Sequence, residues 1–207
     1  MKRTILGTAG LALALFALAD DAAAQRPFRV GVIGGYNMAS FAGDDADDAD
    51  SRSGFDVGGL IQIPMGDMIT IQPEVHYSQR GASFEEGDTE VEYKLDYIHV
   101  PLLFKAGVPL AEGFDFDFLF GPSFAFNMGC ELEAEDGETA DCDEAGIELK
   151  STDFGIIGGG SFAWAAGPGD VLVDVRYDWG MTNIVDQDDT DVKNTALQFL
   201  IGYAFPL

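Results

Sequence analysis

Residues 114–128 read FDFDFLFGPSFAFNM, and this stretch decides the fold. Its even positions hold Phe, Phe, Phe, Phe, Pro, Phe, Phe and Met, whereas its odd positions hold Asp, Asp, Leu, Gly, Ser, Ala and Asn. Successive side chains of a β-strand point to opposite faces of the sheet. The stretch is therefore predicted to be a strand with one large apolar face and one smaller, more polar face.

The same alternation recurs in eight stretches, joined by links that are in turn short and then long and acidic. The stretches lie near residues 28–38, 54–64, 69–78, 93–106, 114–128, 154–164, 171–179 and 195–205. Tight turns at one rim and long loops at the other are typical of an outer-membrane barrel. The sequence therefore predicts an all-β fold, an eight-stranded antiparallel up-and-down transmembrane β-barrel.

A membrane barrel and a soluble barrel differ in which face of each strand points into the barrel. A soluble barrel of the lipocalin type holds its apolar face inside and its polar face outside. Three features favour the membrane barrel. The polar face carries both acids and bases, Tyr and Trp residues gather near strand ends, and the chain ends on an apolar alternation of Tyr203, Phe205 and Leu207.

The N-terminal segment has the three parts of a secretory signal. Two basic residues at positions 2–3 precede an uncharged run at 4–19 and three alanines at 22–24. A membrane-anchor helix is the alternative, but the run is short for a hydrocarbon core of about 30 Å. A closed barrel pairs every backbone N–H and C=O between neighbouring strands, so an exported chain can span a membrane without a helix. We therefore expect the protein in the outer membrane, with the lipid bilayer as its partner. We predict a signal peptide at residues 1–24 and one barrel domain at residues 25–207.

The formal net charge of −25 is concentrated in the four long links, which hold well over half of the 36 acidic residues. Such a field repels nucleic acid and anionic surfaces, so nucleic acid is excluded as a partner. The loops offer oxygen ligands for divalent cations or a surface for an extracellular protein. Residues 44–50 and 186–191 nevertheless lack the Gly and terminal Glu of a calcium loop. A solvated surface is the simplest interpretation.

Three segments resemble the PorT-like outer-membrane β-barrel family of the Bacteroidetes lineage. They are QPEVHYSQRG at residues 72–81, DYIHVPLLFK at 96–105 and VDVRYDWGMTNI at 173–184. The resemblance covers essentially all of the chain after the predicted signal peptide and implies an outer-membrane barrel. The link of the family's namesake to protein secretion implies a secretion accessory as one possible role.

The polar face predicts a network of charges inside the barrel. Such a network is either the selectivity path of a small channel or a salt-bridged plug, and eight strands leave an interior just wide enough for side chains to fill. The plug is therefore favoured. The predicted interior residues are Arg29, Glu74, His76, His99, Lys105, Asp115, Asp117, Asp174 and Arg176.

His76 and His99, with Ser78 on the same predicted face as His76, raise the alternative of a lipid-modifying enzyme. No nucleophile motif or oxyanion donor accompanies them, and the sequence suggests no cofactor. The leading expectation is a non-enzymatic structural or interaction barrel.

The third long link contains two cysteines, Cys130 and Cys142. Because the chain is predicted to be exported, we expect them to form a disulfide rather than a metal site.

Overall fold

The computed structural model describes residues 27–46, 49–86, 89–134, 136–187 and 190–207. The predicted signal peptide lies outside these ranges. In the described part of the chain, no helix has both the length and the apolar character needed to cross a membrane.

The described residues form nine β-strands. They are β1 (Arg29–Ala42), β2 (Asp50–Met65), β3 (Ile69–Glu86), β4 (Thr89–Ala111), β5 (Phe114–Ala134), β6 (Thr139–Asp141), β7 (Thr152–Ala166), β8 (Gly169–Gly180) and β9 (Lys193–Pro206). Eight of them pair antiparallel in the order β1-β2-β3-β4-β5-β7-β8-β9, and β9 returns to β1 to close the barrel. The short β6 pairs with β5. The predicted fold is confirmed.

Three tight turns define one rim of the barrel and connect β2 to β3, β4 to β5, and β7 to β8. Gly113 and Gly167 lie in two of these turns with φ angles of 70° and 66°. Residues with a Cβ rarely adopt this left-handed conformation, so glycine at these positions permits the tight reversal. We call this end the turn side and the opposite end the loop side.

The longest strands extend far beyond what a membrane requires. β4 has 23 residues and β5 has 21, whereas a tilted membrane strand needs about 9 to 11. The excess lies on the loop side, where β3 and β4 remain paired as far as Glu86 and Thr89. The prediction of a long acidic loop at this link is therefore wrong. Phe84 of β3 pairs with Val91 of β4 near this tip. Both side chains lie on the inward face of the hairpin, so the apolar pairing extends up to the tip.

The outer surface carries an apolar band. Val32, Phe118, Phe120 and Ile201 are each at least 60% exposed on this surface, while the opposite faces of their strands are buried. Trp164 and Trp179 lie on the paired strands β7 and β8, near the turn side and the loop side respectively. Trp179 is eight residues beyond Val171, the partner of Trp164. At about 3.3 Å per residue and a tilt near 40°, the two rings are about 20 Å apart along the barrel axis, close to the height of a lipid-facing band.

Candidate functional site

The barrel interior contains a chain of buried charges, and its first group centres on Arg176 of β8. The Nη1 and Nη2 atoms of Arg176 donate to the two carboxylate oxygens of Glu74 on β3, at 2.6 and 2.9 Å. Its Nε atom donates to Asp174 at 3.1 Å. All three side chains are at most 2% exposed. This forked geometry is the strongest form of an arginine–carboxylate contact, and it joins opposite walls of the barrel.

His76 extends this group to the neighbouring wall. Its Nε2 atom lies 2.8 Å from Glu74, and its Nδ1 atom contacts a carboxylate oxygen of Asp56 on β2. The second oxygen of Asp56 accepts a hydrogen bond from Gln198 of β9 at 2.9 Å. Both ring nitrogens of His76 therefore face acceptors, which matches an imidazolium that donates from each nitrogen. Four strands are connected through these contacts.

A second group lies on the loop side of the first and centres on Asp178. Arg80 donates to one oxygen of this carboxylate at 2.7 Å, and Ser123 donates to the other at 2.9 Å. The Nε2 atom of His99 is 3.1 Å from both the carboxylate and the guanidinium. The ring centroids of His76 and His99 are 6.2 Å apart, so the two groups are adjacent. The space beside Arg80 and Asp178 is too small for a water molecule.

The turn-side rim holds the remaining predicted interior residues. Lys105 contacts Asp117 at 3.0 Å, and Arg29 contacts Asp170 at 3.1 Å. Arg29, Asp115 and Asp117 are partly exposed, so these three predicted interior residues lie at the rim and not in the two buried groups. Arg29 and Asp115 lie at the ends of their strands, where the lumen opens to water.

The structure thus gathers Glu74, His76, Asp174 and Arg176 in one group and His99 in the next. Sequence reasoning missed Arg80, although the alternation through Glu74 and His76 reaches it if the third strand is continued past residue 78. Asp56 and Asp178 follow the same inward alternation. Their importance depends on which side chains meet across the lumen, and a single strand's pattern does not contain that information.

The predicted catalytic partners do not form a nucleophile and base pair. The hydroxyl of Ser78 contacts Asn37 at 3.3 Å and Arg80 at 3.4 Å, and carboxylates occupy both nitrogens of His76. Within the described ranges, no cluster of three or more His, Cys, Asp or Glu side chains has a geometry suited to a metal ion.

The third long link begins as a hairpin. β5 continues to Ala134 and pairs with β6, with Glu131 opposite Asp141. A disulfide joins Cys130 to Cys142, whose Cα atoms are 5.5 Å apart, as the sequence predicted. The bridge closes the base of this acidic hairpin on the loop side.

Comparison with known proteins defines the class. Residues 19–186 match the family described as outer membrane protein beta-barrel domain, and the chain belongs to this family. It is an integral barrel of the outer membrane. No curated protein sequence matches the chain.

Solved structures with similar folds share little sequence with the chain. Neisserial surface protein A is 12% identical with a TM-score of 0.51, and the match covers 89% of this chain and 99% of that one. A major outer membrane protein of Thermus thermophilus is 11% identical with a TM-score of 0.51, covering 88% and 100%. The attachment invasion locus protein Ail of Yersinia pestis is 14% identical with a TM-score of 0.45, covering 87% and 100%. At these identities, the first two support the fold alone.

Proposed function

We propose that the protein is a non-conducting, non-enzymatic barrel whose loop side interacts with partners outside the cell. The observation that carries the proposal is the pair of adjacent buried charge groups around Arg176 and Asp178, each of which joins strands across the lumen. A path for ions or solutes requires water-filled space, and these side chains occupy that space. The barrel then serves as a rigid scaffold for its long hairpins and loops.

The rival function of a small channel is tested by conductance. Purified protein reconstituted in planar bilayers is expected to give no discrete current steps, with a general porin reconstituted in the same way as the positive control. Reproducible steps that scale with salt concentration, and that disappear when the barrel is unfolded by heat, would contradict the proposal.

The rival function of a lipid-modifying enzyme is opposed by burial. His76 and His99 are 2% and 1% exposed, and charged side chains contact both. A substrate therefore has no access to either ring. Vesicles of labelled phospholipid and lipopolysaccharide should show no turnover with the wild-type protein. Turnover that is lost in both His76→Gln and Ser78→Ala would establish the enzyme instead.

The finer assignments belong to the same proposal. We place the acidic hairpins outside the cell because they lie on the loop side, the end that holds the longer links, as in other outer-membrane barrels. Their carboxylates suit weak divalent-cation binding or contact with an extracellular protein, and the segments similar to PorT-like proteins keep a secretion accessory as a candidate role. Deleting residues 131–141 together with Cys142→Ser should leave the barrel folded and remove partner contact. A barrel that no longer folds would contradict the scaffold role.

A further inference from the structure

The loop-side mouth of the barrel is lined by apolar side chains, in contrast to the charged interior beneath it. Leu95, Tyr97, Ala125 and Ile184 form a buried layer above the charge network. A cavity of about 580 Å³ opens above this layer. Its volume falls within the range of small-molecule sites, which are concave and mostly apolar with a few polar groups.

The cavity wall combines three strands and three loops. Phe41 of β1, Phe84 of β3 and Tyr93 of β4 form an aromatic cluster with ring centroids 5.5 to 6.2 Å apart. Leu149 and Val185 close the opposite side, and an isolated β-bridge pairs the two residues. Residues from strands and loops thus meet in one preformed hollow.

The rim of the cavity is acidic. Asp45 and Glu85 are exposed acidic residues that line it, and the other described lining residues include no Lys or Arg. One carboxylate oxygen of Asp45 accepts the Asp191 N–H at 2.8 Å, and the other is left for a ligand. The nearby loops add further acids to a chain of net charge −25. A field of this sign concentrates cations and repels anions at the mouth. Aromatic side chains also attract cations through their ring faces.

We infer that this cavity binds an amphipathic organic cation, with the apolar body of the ligand against Phe84 and Leu149 and its positive group at Asp45 and Glu85. The inference rests on the proposed function, because a mouth above a closed lumen retains a ligand that an open pore would pass. It deepens that function by giving the loop side a ligand class.

The test uses the folded barrel in nanodiscs of zwitterionic phosphatidylcholine, with empty nanodiscs as the blank. The probe is the 9-aminoacridinium cation, measured by fluorescence anisotropy, and uncharged acridine is its neutral analogue. The cation should bind the barrel above the blank and more tightly than acridine. Equal binding of the two compounds, or no binding above the blank, would overturn the inference.

Two matched charge variants locate the site. Asp45→Asn with Glu85→Gln should weaken binding of the cation about threefold, the effect of two carboxylates at roughly 7 Å in screened water. Asp143→Asn with Glu144→Gln removes the same charge from an adjoining cavity beside the disulfide, which shares only Ile147 and Leu149 with this one, and should leave binding unchanged. Equal effects of the two variants would indicate diffuse attraction and would overturn the site.

Two further variants test the apolar wall. Phe84→Ala should weaken binding of both compounds about tenfold, because it removes one ring from the wall. Leu149→Trp should reduce binding because the larger ring fills the cavity, while the wall stays apolar. Gel migration before and after heating verifies that each variant is folded. Conductance of the same samples separates the two proposals, since a failure to bind in a barrel that carries no current overturns the ligand alone.

Discussion

Arg176→Met should be strongly destabilising, because it removes the cation that holds two buried acids. Glu74 and Asp174, at 2% and 0% exposure, would lose their shared cation, and Glu74 would be left with His76 and Gln72. Removing one partner of a buried ion pair costs about 3 to 5 kcal/mol. Methionine keeps much of the volume of the side chain, so the loss reflects the charge rather than a cavity.

The matched variant neutralises the acids together with the base. Glu74→Gln and Asp174→Asn, added to Arg176→Met, leave no uncompensated charge in this group and should restore most of the lost stability. Lys105→Met is a second control. Lys105 is buried, but its partner Asp117 is partly exposed to water, so we expect a smaller loss than for Arg176→Met.

The assay is urea unfolding of the barrel in phosphatidylcholine vesicles. The two tryptophans, Trp164 and Trp179, both lie on the outer surface and report the transition by fluorescence. The free energy of unfolding follows from linear extrapolation. A loss below about 1 kcal/mol for Arg176→Met, or a triple variant as unstable as the single one, would refute the view that this network is tightly coupled.

Three further predictions concern the membrane, the topology and the disulfide. Phe118→Arg should cost roughly 2 to 4 kcal/mol in the same urea assay if the residue lies near the bilayer midplane, and full tolerance would argue against lipid contact at that face. A cysteine introduced at Asp186 should react with an impermeant maleimide on intact cells and one at Asp67 should not, whereas the reverse pattern would invert the barrel. Replacing both native cysteines by serine should leave the unfolding midpoint of the barrel nearly unchanged and accelerate proteolysis of the β5–β6 hairpin; a large drop in the midpoint would make the hairpin part of the barrel's stability.

The alternation of side chains was sufficient to predict the barrel. On β5, Phe118 and Phe120 face outward and Leu119 is buried, as a period of two requires. The same rule predicts that His76 and His99 point inward, and both are buried in the structure. The inward or outward direction of each side chain follows from its own strand, because each strand has one face toward lipid and one toward the lumen.

The contacts across the lumen could not be predicted in this way. Arg176 and Glu74 are 102 positions apart and lie on strands that are not neighbours. Their meeting depends on the stagger of all eight strands, which a local pattern does not encode. The same limit applies to Arg29, because its height at the turn-side rim depends on the stagger. Strand ends were also difficult, since acidic residues such as Glu90 are common in loops and are tolerated equally well in an exposed hairpin.

The central claim is that side chains fill the lumen, and thiol accessibility tests it most directly. Ser123 and Ser161 face the lumen on β5 and β7 and are 3% and 0% exposed, so cysteine replaces each with little change in shape. Ser151 is exposed and serves as the matched control, and the native disulfide leaves no other thiol in the described chain. Folded vesicle-bound variants are treated with a small, charged methanethiosulfonate reagent on both sides of the membrane. The account predicts rapid modification of Ser151→Cys and modification of Ser123→Cys and Ser161→Cys only after unfolding. Rapid modification of both lumen positions in the folded barrel would contradict it.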